Sequence, residues 1–413
     1  MPKSCAMVLM RYCTPFLIAL GLILTVLAGT LLPSAPAQAT HLYALKESNN
    51  CGGCHKPGRS QRSFLDRRCT LDCQGCHIDP AGAGPRNQWG YYYSQTNLST
   101  AQFFAPMDPL QDKSRIDLHY DGRYIQRSFD GGKSRGFPMS NEFSVRVRPL
   151  ITHLHATYQG LFLGRVDDQS FRSSSESGRR FEEKWSLMLD NLPLNTYVRA
   201  YRGPPMYGIR RSNHTAWIRE RVDLDQFAIT DATEVGTTPN VPFFRGSIMK
   251  GDPRVESAYR QVGTSAHAGL RGVTAGWHLN GSYWDTKSEA NGVRMYAAGA
   301  GAHLFGLLLY GERNWRKVTN LTTGELVAPT DIPRVQPSSV ISEYTGALTF
   351  IPGVMIGTLH ETMDVNDTRS LRRSGFLDLH PIPWLHFEIW RRFETGVREM
   401  SDTLGIVHLY ADL

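Results

Sequence analysis

Residues 340–363 read VISEYTGALTFIPGVMIGTLHETM. Two runs rich in residues that suit extended chain, Val340–Phe350 and Val354–Met363, flank the tight-turn signal Ile351-Pro352-Gly353. Proline presets the turn backbone, and glycine admits the left-handed conformation the turn needs. The same unit recurs on both sides. Upstream, Phe143–Pro149 leads into Leu150–Tyr158, and Trp185–Leu189 turns through Asp190–Pro193 into Leu194–Tyr201. Phe227–Gly236 turns through Pro239-Asn240 into Val241–Ile248, and Ser265–Leu270 through Arg271-Gly272 into Val273–Trp284. Val293–Ala302 turns near His303 into Leu304–Trp315. Downstream, Gly375–Leu379 turns through His380-Pro381-Ile382-Pro383 into Trp384–Arg392, and Thr403–Leu413 closes the chain. With an opening strand at Arg115–Phe129, the reading gives sixteen strands.

The turns alternate in length. Short turns fall at one end of the strands. Polar stretches such as Asp167–Glu183 and Lys317–Ser339 fall at the other. That asymmetry predicts a mainly β fold, a ~16-stranded antiparallel transmembrane β-barrel. A strand of ~10 residues tilted by ~45° spans the apolar band of an outer membrane. In lipid every backbone amide needs a partner, so the sheet must close. One face of each strand then meets lipid and the other the lumen. Leu150, Leu154, Ala156 and Tyr158 share one face, with Thr152 among them, and His153, His155, Thr157 and Gln159 share the other. Leu385, Phe387 and Ile389 likewise oppose His386 and Glu388. Trp384 and Trp390 suit an aromatic girdle by position but fall with the polar face by phase. A soluble sandwich or propeller is the rival fold, since its strands also alternate. The export signal and the turn asymmetry favour the barrel.

Composition agrees. The chain has 413 residues, 41% hydrophobic and 20% charged, with 18 Phe, 17 Tyr and 8 Trp. A mean hydropathy of −0.32 is too polar for a bundle of membrane helices. The aromatic content is too high for a disordered chain. Seven cysteines are too few for a disulfide scaffold of this length. Residues 1–39 read as a secretory signal: Lys3 and Arg11, an apolar run from Phe16 to Leu32, then Ala37-Gln38-Ala39 as a cleavage site. The rival is an uncleaved helical anchor. Cleavage takes the formal charge from +7 to +5, a modest excess that does not argue for nucleic acid.

Two motifs carry the chemistry of the segment 40–113: Cys51-Gly52-Gly53-Cys54-His55 and Cys73-Gln74-Gly75-Cys76-His77. Thiols three positions apart can both add to the vinyl groups of one haem, and the next histidine is held beneath its iron. The expectation is two covalently attached haem c groups. Cys51 and Cys54 bind one and Cys73 and Cys76 the other, with His55 and His77 as iron ligands. The same cysteines also have a zinc-ribbon spacing, in which both histidines would be idle. Their place directly after each pair, in an exported chain, favours haem. His41 is a candidate distal ligand; its alternative is a plain chain terminus. Cys69 reads as a small buried hydrophobe. Lys56, Arg59, Arg62, Arg67 and Arg68 could pair with haem propionates or form a solvated basic face. No spacing supports a hydrolytic or paired-carboxylate centre, so the chain reads as an electron-transfer protein rather than an enzyme.

The two C-x-x-C-H motifs followed by the hairpin series resemble the fused outer-membrane cytochrome–porins, in which a small haem segment sits at or inside a barrel. The stretch Arg202–Arg210 also looks like a strand-end loop of phosphate-selective-type porins. The resemblance implies a signal peptide at 1–39, an irregular or helical di-haem segment at 40–113 and a barrel at 114–413. It implies electron transfer across the outer membrane, with the haem segment on the periplasmic side or inside the barrel. The partners it implies are periplasmic electron carriers such as cytochromes, an extracellular donor or acceptor, and outer-membrane lipid. Lumen histidines such as His153 and His155 could supply a distal ligand; a wet pore wall is the plainer role. Two departures stand out: two haem motifs where better-known fused forms have one, and Leu413 where porins usually end in an aromatic. A diffusion porin with a redox-sensing haem segment is the alternative function. A haem enzyme with an open iron position is a third.

Overall fold

The computed structural model describes residues 80, 86, 99–101, 116–130, 132, 134–147, 153–163, 180–208, 216–222, 229–238, 242–255, 257–271, 277–304, 306–320, 338–366, 368–396 and 399–412. The strands are β1 (Ile116–Phe129), β2 (Arg135–Val147), β3 (Leu154–Leu163), β4 (Arg180–Leu192), β5 (Thr196–Gly203), β6 (Thr230–Thr237), β7 (Pro242–Gly251) and β8 (Val262–Arg271). They continue as β9 (Trp277–Lys287), β10 (Asn291–Leu304), β11 (Leu307–Asn320), β12 (Ser339–Ile351), β13 (Val354–Val365), β14 (Thr368–Ile382), β15 (Leu385–Thr395) and β16 (Met400–Asp412). Each pairs antiparallel with its sequence neighbours, and β1 pairs with β16 from His119↔Asp412 to Phe129↔Asp402, closing the barrel. Closure leaves no strand edge unpaired.

The sixteen expected strands are the sixteen observed. They run longer than the alternation suggests: β14 begins at Thr368, seven residues before the expected Gly375. The added residues include Ser370, Arg372 and Ser374, all buried on the inner wall. A polar wall facing a polar lumen carries little hydrophobic signal, so a sequence reading stops short of it. The turn expected at His380-Pro381 is corrected too. β14 runs on to Ile382, and its ladder to β15 shifts register between Leu379 and Ile382. Pro381 has no N–H to give a ladder, and a register shift is where a strand tolerates it.

The barrel is apolar outside and polar inside. On β11, Leu307 and Leu309 point outward, while Tyr310, Glu312, Asn314 and Arg316 are buried inside. Phe143, Tyr158, Ile356 and Ile389 are likewise exposed on the outer face. Large exposed apolar side chains in such number suit lipid rather than water. Further along β11 the outward face changes to Arg313, whose guanidinium lies 5.5 Å from the Trp315 ring centre. That pairing suits the border between lipid and water, where an amphipathic side chain keeps its charged tip wet.

Turn lengths follow the expected asymmetry. Two residues join β10 to β11 and β12 to β13, whereas residues 204–229 separate β5 from β6. That long connection folds inward. Tyr207 meets Trp284 of β9 edge-on at 6.1 Å, and Gly208 N–H donates to Ser282 Oγ at 2.8 Å. The short helix α1 (Trp217–Glu220) packs against β12. Tyr207, Ala216, Trp217, Ile218 and Val222 are buried with Trp284, Met295, Val318 and Ile341 of the inner wall. An apolar cluster therefore lies across part of the lumen.

Candidate functional site

The seven residues expected to hold haem, Cys51, Cys54, His55, Cys73, Cys76, His77 and His41, lie outside the described residues. Cys69, the Lys56–Arg68 basic cluster and most of the expected segment 40–113 do too. The described parts of that segment meet the short-turn end of the barrel. Thr100 N–H donates to the His380 carbonyl at 2.8 Å and Ala101 N–H to the Pro381 carbonyl at 3.0 Å. Thr100 Oγ1 donates to the Pro352 carbonyl at 3.2 Å. These bonds use carbonyls that the register shift and the turn leave without ladder partners. Ser99–Ala101 thus forms a strap across the β12–β13 turn and the end of β14. Gly353, in that turn, has φ +80°, which favours glycine. Arg86 lies with its guanidinium 4.7 Å from the Tyr410 ring centre, on β16.

Above the strap the inner wall carries a cluster of imidazoles and carboxylates. β14, β15 and β16 bring Asp378 opposite Glu388 and His386 opposite His408. Because side chains alternate along a strand, Asp378 and His380 face the same way, as do His386 and Glu388, and His408 and Tyr410. His380 Nε2 and His386 Nε2 each lie 3.2 Å from Asp378 Oδ1. His386 Nε2 is 3.6 Å from Glu388 Oε1, and His386 Nδ1 is 3.3 Å from His408 Nδ1. Tyr410 Oη sits 2.9 Å from His408 Nδ1. The His380 and His386 rings stack at 3.9 Å, nearly parallel. All five of these imidazole and carboxylate residues are buried. On the next strand of the closed ring, β1, His119 is also buried in the inner wall.

Of the two expected lumen histidines, His155 is placed as the alternation requires. His155 faces inward beside Asp190, its Nε2 3.2 Å from Asp190 Oδ2. His153 precedes β3, and its carbonyl accepts from Asp190 N–H at 2.9 Å. Trp390 is settled by phase rather than position. It is 5% exposed, stacks on Phe376, and its Nε1 donates to Glu388 Oε2 at 2.9 Å. Trp384 sits at the β14–β15 turn, 40% exposed. Sequence reasoning placed His386 and Glu388 on the polar face but read His380 as a turn residue and did not connect either with His408. Only the register joins them, and no local pattern encodes a pairing across strands.

Elsewhere the inner wall is laced with ion pairs. Glu234 accepts from Tyr197 at 2.6 Å, Arg199 at 2.9 Å and Ser247 at 2.9 Å. Glu361 takes a two-pronged contact from Arg372 and a bond from the Trp217 amide. Asp402 bridges Arg127 and Arg392. At the long-loop end, Arg202 spans Asp231 and Asp252, and Arg254 joins Asp252 to Glu182.

Two loop carboxylates are held well below the ordinary aspartate value of 3.8. Burial pushes Asp252 up, but hydrogen bonds from the Arg254 side chain, the Arg254 amide and Arg202 outweigh it and leave it at about 2. Hydrogen bonds from Arg391, then Ser401, hold Asp130 at about 2. A carboxylate whose pKa is lower folded than unfolded lends stability that is whole above the unfolded value and lost as pH falls toward the folded one. The unfolding midpoint in detergent is therefore expected to hold steady on acidification to 3.8 and to drop between there and about 2. Asp252→Asn should lower the neutral-pH midpoint and flatten that acid limb. A midpoint-against-pH series on both proteins checks this.

No protein-family model matches the chain, and no curated protein does. Solved structures are similar in fold. A loop-deletion variant of OmpT, an outer-membrane protein of Vibrio cholerae, aligns with TM-score 0.54 at 8% identity over 72% of this chain and 99% of its own. OprB of Pseudomonas putida aligns with TM-score 0.54 at 10% identity over 72% and 94%. An anion-selective porin from Comamonas acidovorans aligns with TM-score 0.50 at 10% identity over 72% and 98%. At these identities the likeness is one of architecture: a closed sixteen-stranded barrel of the outer-membrane porin type.

Proposed function

We propose that this porin-type barrel lies in the outer membrane and carries electrons across it through two c-type haems bound to its N-terminal segment. The observation that carries the reading is the doubled C-x-x-C-H motif in an exported chain joined to a barrel. The donor set fits: each motif supplies two thiols for thioether attachment, at Cys51 and Cys54 or at Cys73 and Cys76. Each also supplies one imidazole ligand, His55 or His77. When bound, haem supplies a one-electron iron couple. His41, or the lumen residues His153 and His155, are the candidates for the remaining axial positions. The strap at Ser99–Ala101 supports the reading, because it ties the chain that follows the motifs to one mouth of the barrel. The barrel's part is to keep a polar passage through lipid. Periplasmic cytochromes would meet the short-turn end, and an extracellular donor or acceptor the long-loop end. The purified protein is expected to show haem c absorbance and the added mass of two haems. In liposomes it should pass electrons from an external reductant to an enclosed dye, and Cys54→Ala should abolish that flux. A colourless protein holding zinc on its four paired cysteines, or unchanged flux in Cys54→Ala, overturns the reading.

The likeness to porins favours a second reading, a diffusion pore whose haem segment senses redox state. Passage of small solutes without transmembrane electron flux would establish it.

A further inference from the structure

We infer that the inner wall at the short-turn end holds one divalent transition-metal ion on Asp378, His380 and His386, with Glu388 beside it and His408 as a positioning residue. Nothing in the electron-transfer reading requires this site, and it stands independently of haem.

Nitrogen and oxygen ligands sit ~2.0–2.1 Å from zinc, so two ligands at the tetrahedral angle lie ~3.3 Å apart. The two imidazole nitrogens stand 3.2 Å from Asp378 Oδ1, and Glu388 Oε1 is 3.6 Å from His386 Nε2. Ligand atoms of Asp378, His380 and His386 lie within 4.8 Å of one another, as do those of His386, Glu388 and His408. The first set has the spacing to share one ion, and the second joins it only through His386, which leaves Glu388 and His408 as neighbours of the ligands. A ligated metal lies in the plane of each imidazole, so the His380 and His386 rings, stacked at 4° and 3.9 Å, must rotate out of their stack for both lone pairs to reach one ion.

Electrostatics points the same way. Asp378 and Glu388 are directly opposed on neighbouring strands, where like charges repel. Both are buried, so water does little to relieve that repulsion. His386 Nε2 and Glu388 Oε1 are buried atoms with no hydrogen bond of good geometry, although each faces the other groups of the cluster. A dication bound at His386 Nε2 satisfies that atom and offsets the charge of the opposed carboxylates.

The surrounding shell has the form that metal ligands require. A ligating histidine gives its second ring N–H to an acceptor, which fixes the tautomer and the ring. His386 Nδ1 faces His408 Nδ1, which Tyr410 Oη also approaches. In the tautomer where His386 Nδ1–H donates to the one lone pair of His408 Nδ1, the His386 Nε2 lone pair is turned toward the carboxylates. Trp390 Nε1 fixes the other oxygen of Glu388 at 2.9 Å. Two imidazoles and a carboxylate suit zinc, iron(II) or copper(II) rather than magnesium or calcium, which prefer all-oxygen shells.

The test uses the full haem-loaded protein in detergent, stripped with chelator and dialysed against zinc chloride. Zinc is redox-inert, so its binding reports nothing about electron flux. Elemental analysis is expected to find one zinc per chain. His386→Ala and His380→Ala should each weaken binding at least 100-fold, and His408→Gln by about tenfold, as loss of a supporting partner does. His360→Ala, on a different strand, should bind like the parent. If His386→Ala does not fold, Asp378→Asn keeps the side-chain volume and should still lose zinc. Equal zinc in parent and cluster variants overturns the site. So does a change in the haem absorption bands of His386→Ala with zinc binding intact, which would give His386 to haem iron instead.

Discussion

Replacing Glu361 with alanine is expected to cost about 3–5 kcal/mol of stability, the usual penalty for removing one partner of a buried ion pair. Glu361 is fully buried opposite Arg372, whose Nε and Nη2 donate to it at 2.6 and 2.9 Å. The same carboxylate accepts the Trp217 amide at 2.6 Å, and the Arg372 guanidinium lies 4.6 Å from the Trp217 ring centre. One side chain therefore serves two purposes: it neutralises an arginine of the wall and fastens the inward-folded loop. Without it the loop loses its anchor at α1 while β13 and β14 keep their ladder. Two readouts should move together: the urea midpoint in detergent should fall, and single-channel conductance in a planar bilayer should rise. Glu361→Gln retains an acceptor for Trp217 and should lose stability with a smaller rise in conductance.

The second large effect is expected at the seam where the first and last strands meet. Asp402 lies on β16, fully buried between Arg127 of β1 and Arg392 of β15. Its oxygens lie 2.5 Å from Arg127 Nε, 2.8 Å from Arg392 Nε and 2.5 Å from Arg392 Nη2. Asp402→Ala removes the carboxylate that two guanidiniums share and leaves their charges facing each other in a poorly solvated wall. A loss of at least 3–5 kcal/mol follows from the same physics. The β1–β16 ladder joins residues nearly three hundred positions apart, so its closure carries a large loop-entropy cost. The variant should therefore also refold more slowly into detergent, with the yield of compact barrel on unheated gels as the measure. Asp402→Asn keeps one acceptor oxygen but loses the charge and the second acceptor, and should fall between the parent and Asp402→Ala.

Much of the architecture could be read before any coordinates. Period-two alternation in β3 separates His155, Thr157 and Gln159 from Ala156 and Tyr158, and the fold separates them in the same way. Turn residues located the short hairpin ends, Ile351–Gly353 among them. What escaped were features that depend on pairing. Trp217 and Glu361 are 144 positions apart, and the Arg202–Arg210 stretch gives no local sign that the loop after it turns inward. Asp378, Glu388, His386 and His408 meet only because of ladder register. The haem motifs are the reverse case: their chemistry is written locally, in three residue types at fixed spacing, while their surroundings lie outside the described residues.

The strap at Thr100 has one more implication. A methyl group at position 353 would stand 2.6 Å from Thr100 Oγ1, 2.7 Å from Thr100 N and 2.7 Å from the His380 carbonyl. The missing side chain of Gly353 is thus the gap through which the strap passes. Strap, corner and the carbonyl of a cluster histidine form one joint, so a single added carbon would act as a wedge. It would pry the incoming chain from the rim without altering any lipid-facing surface.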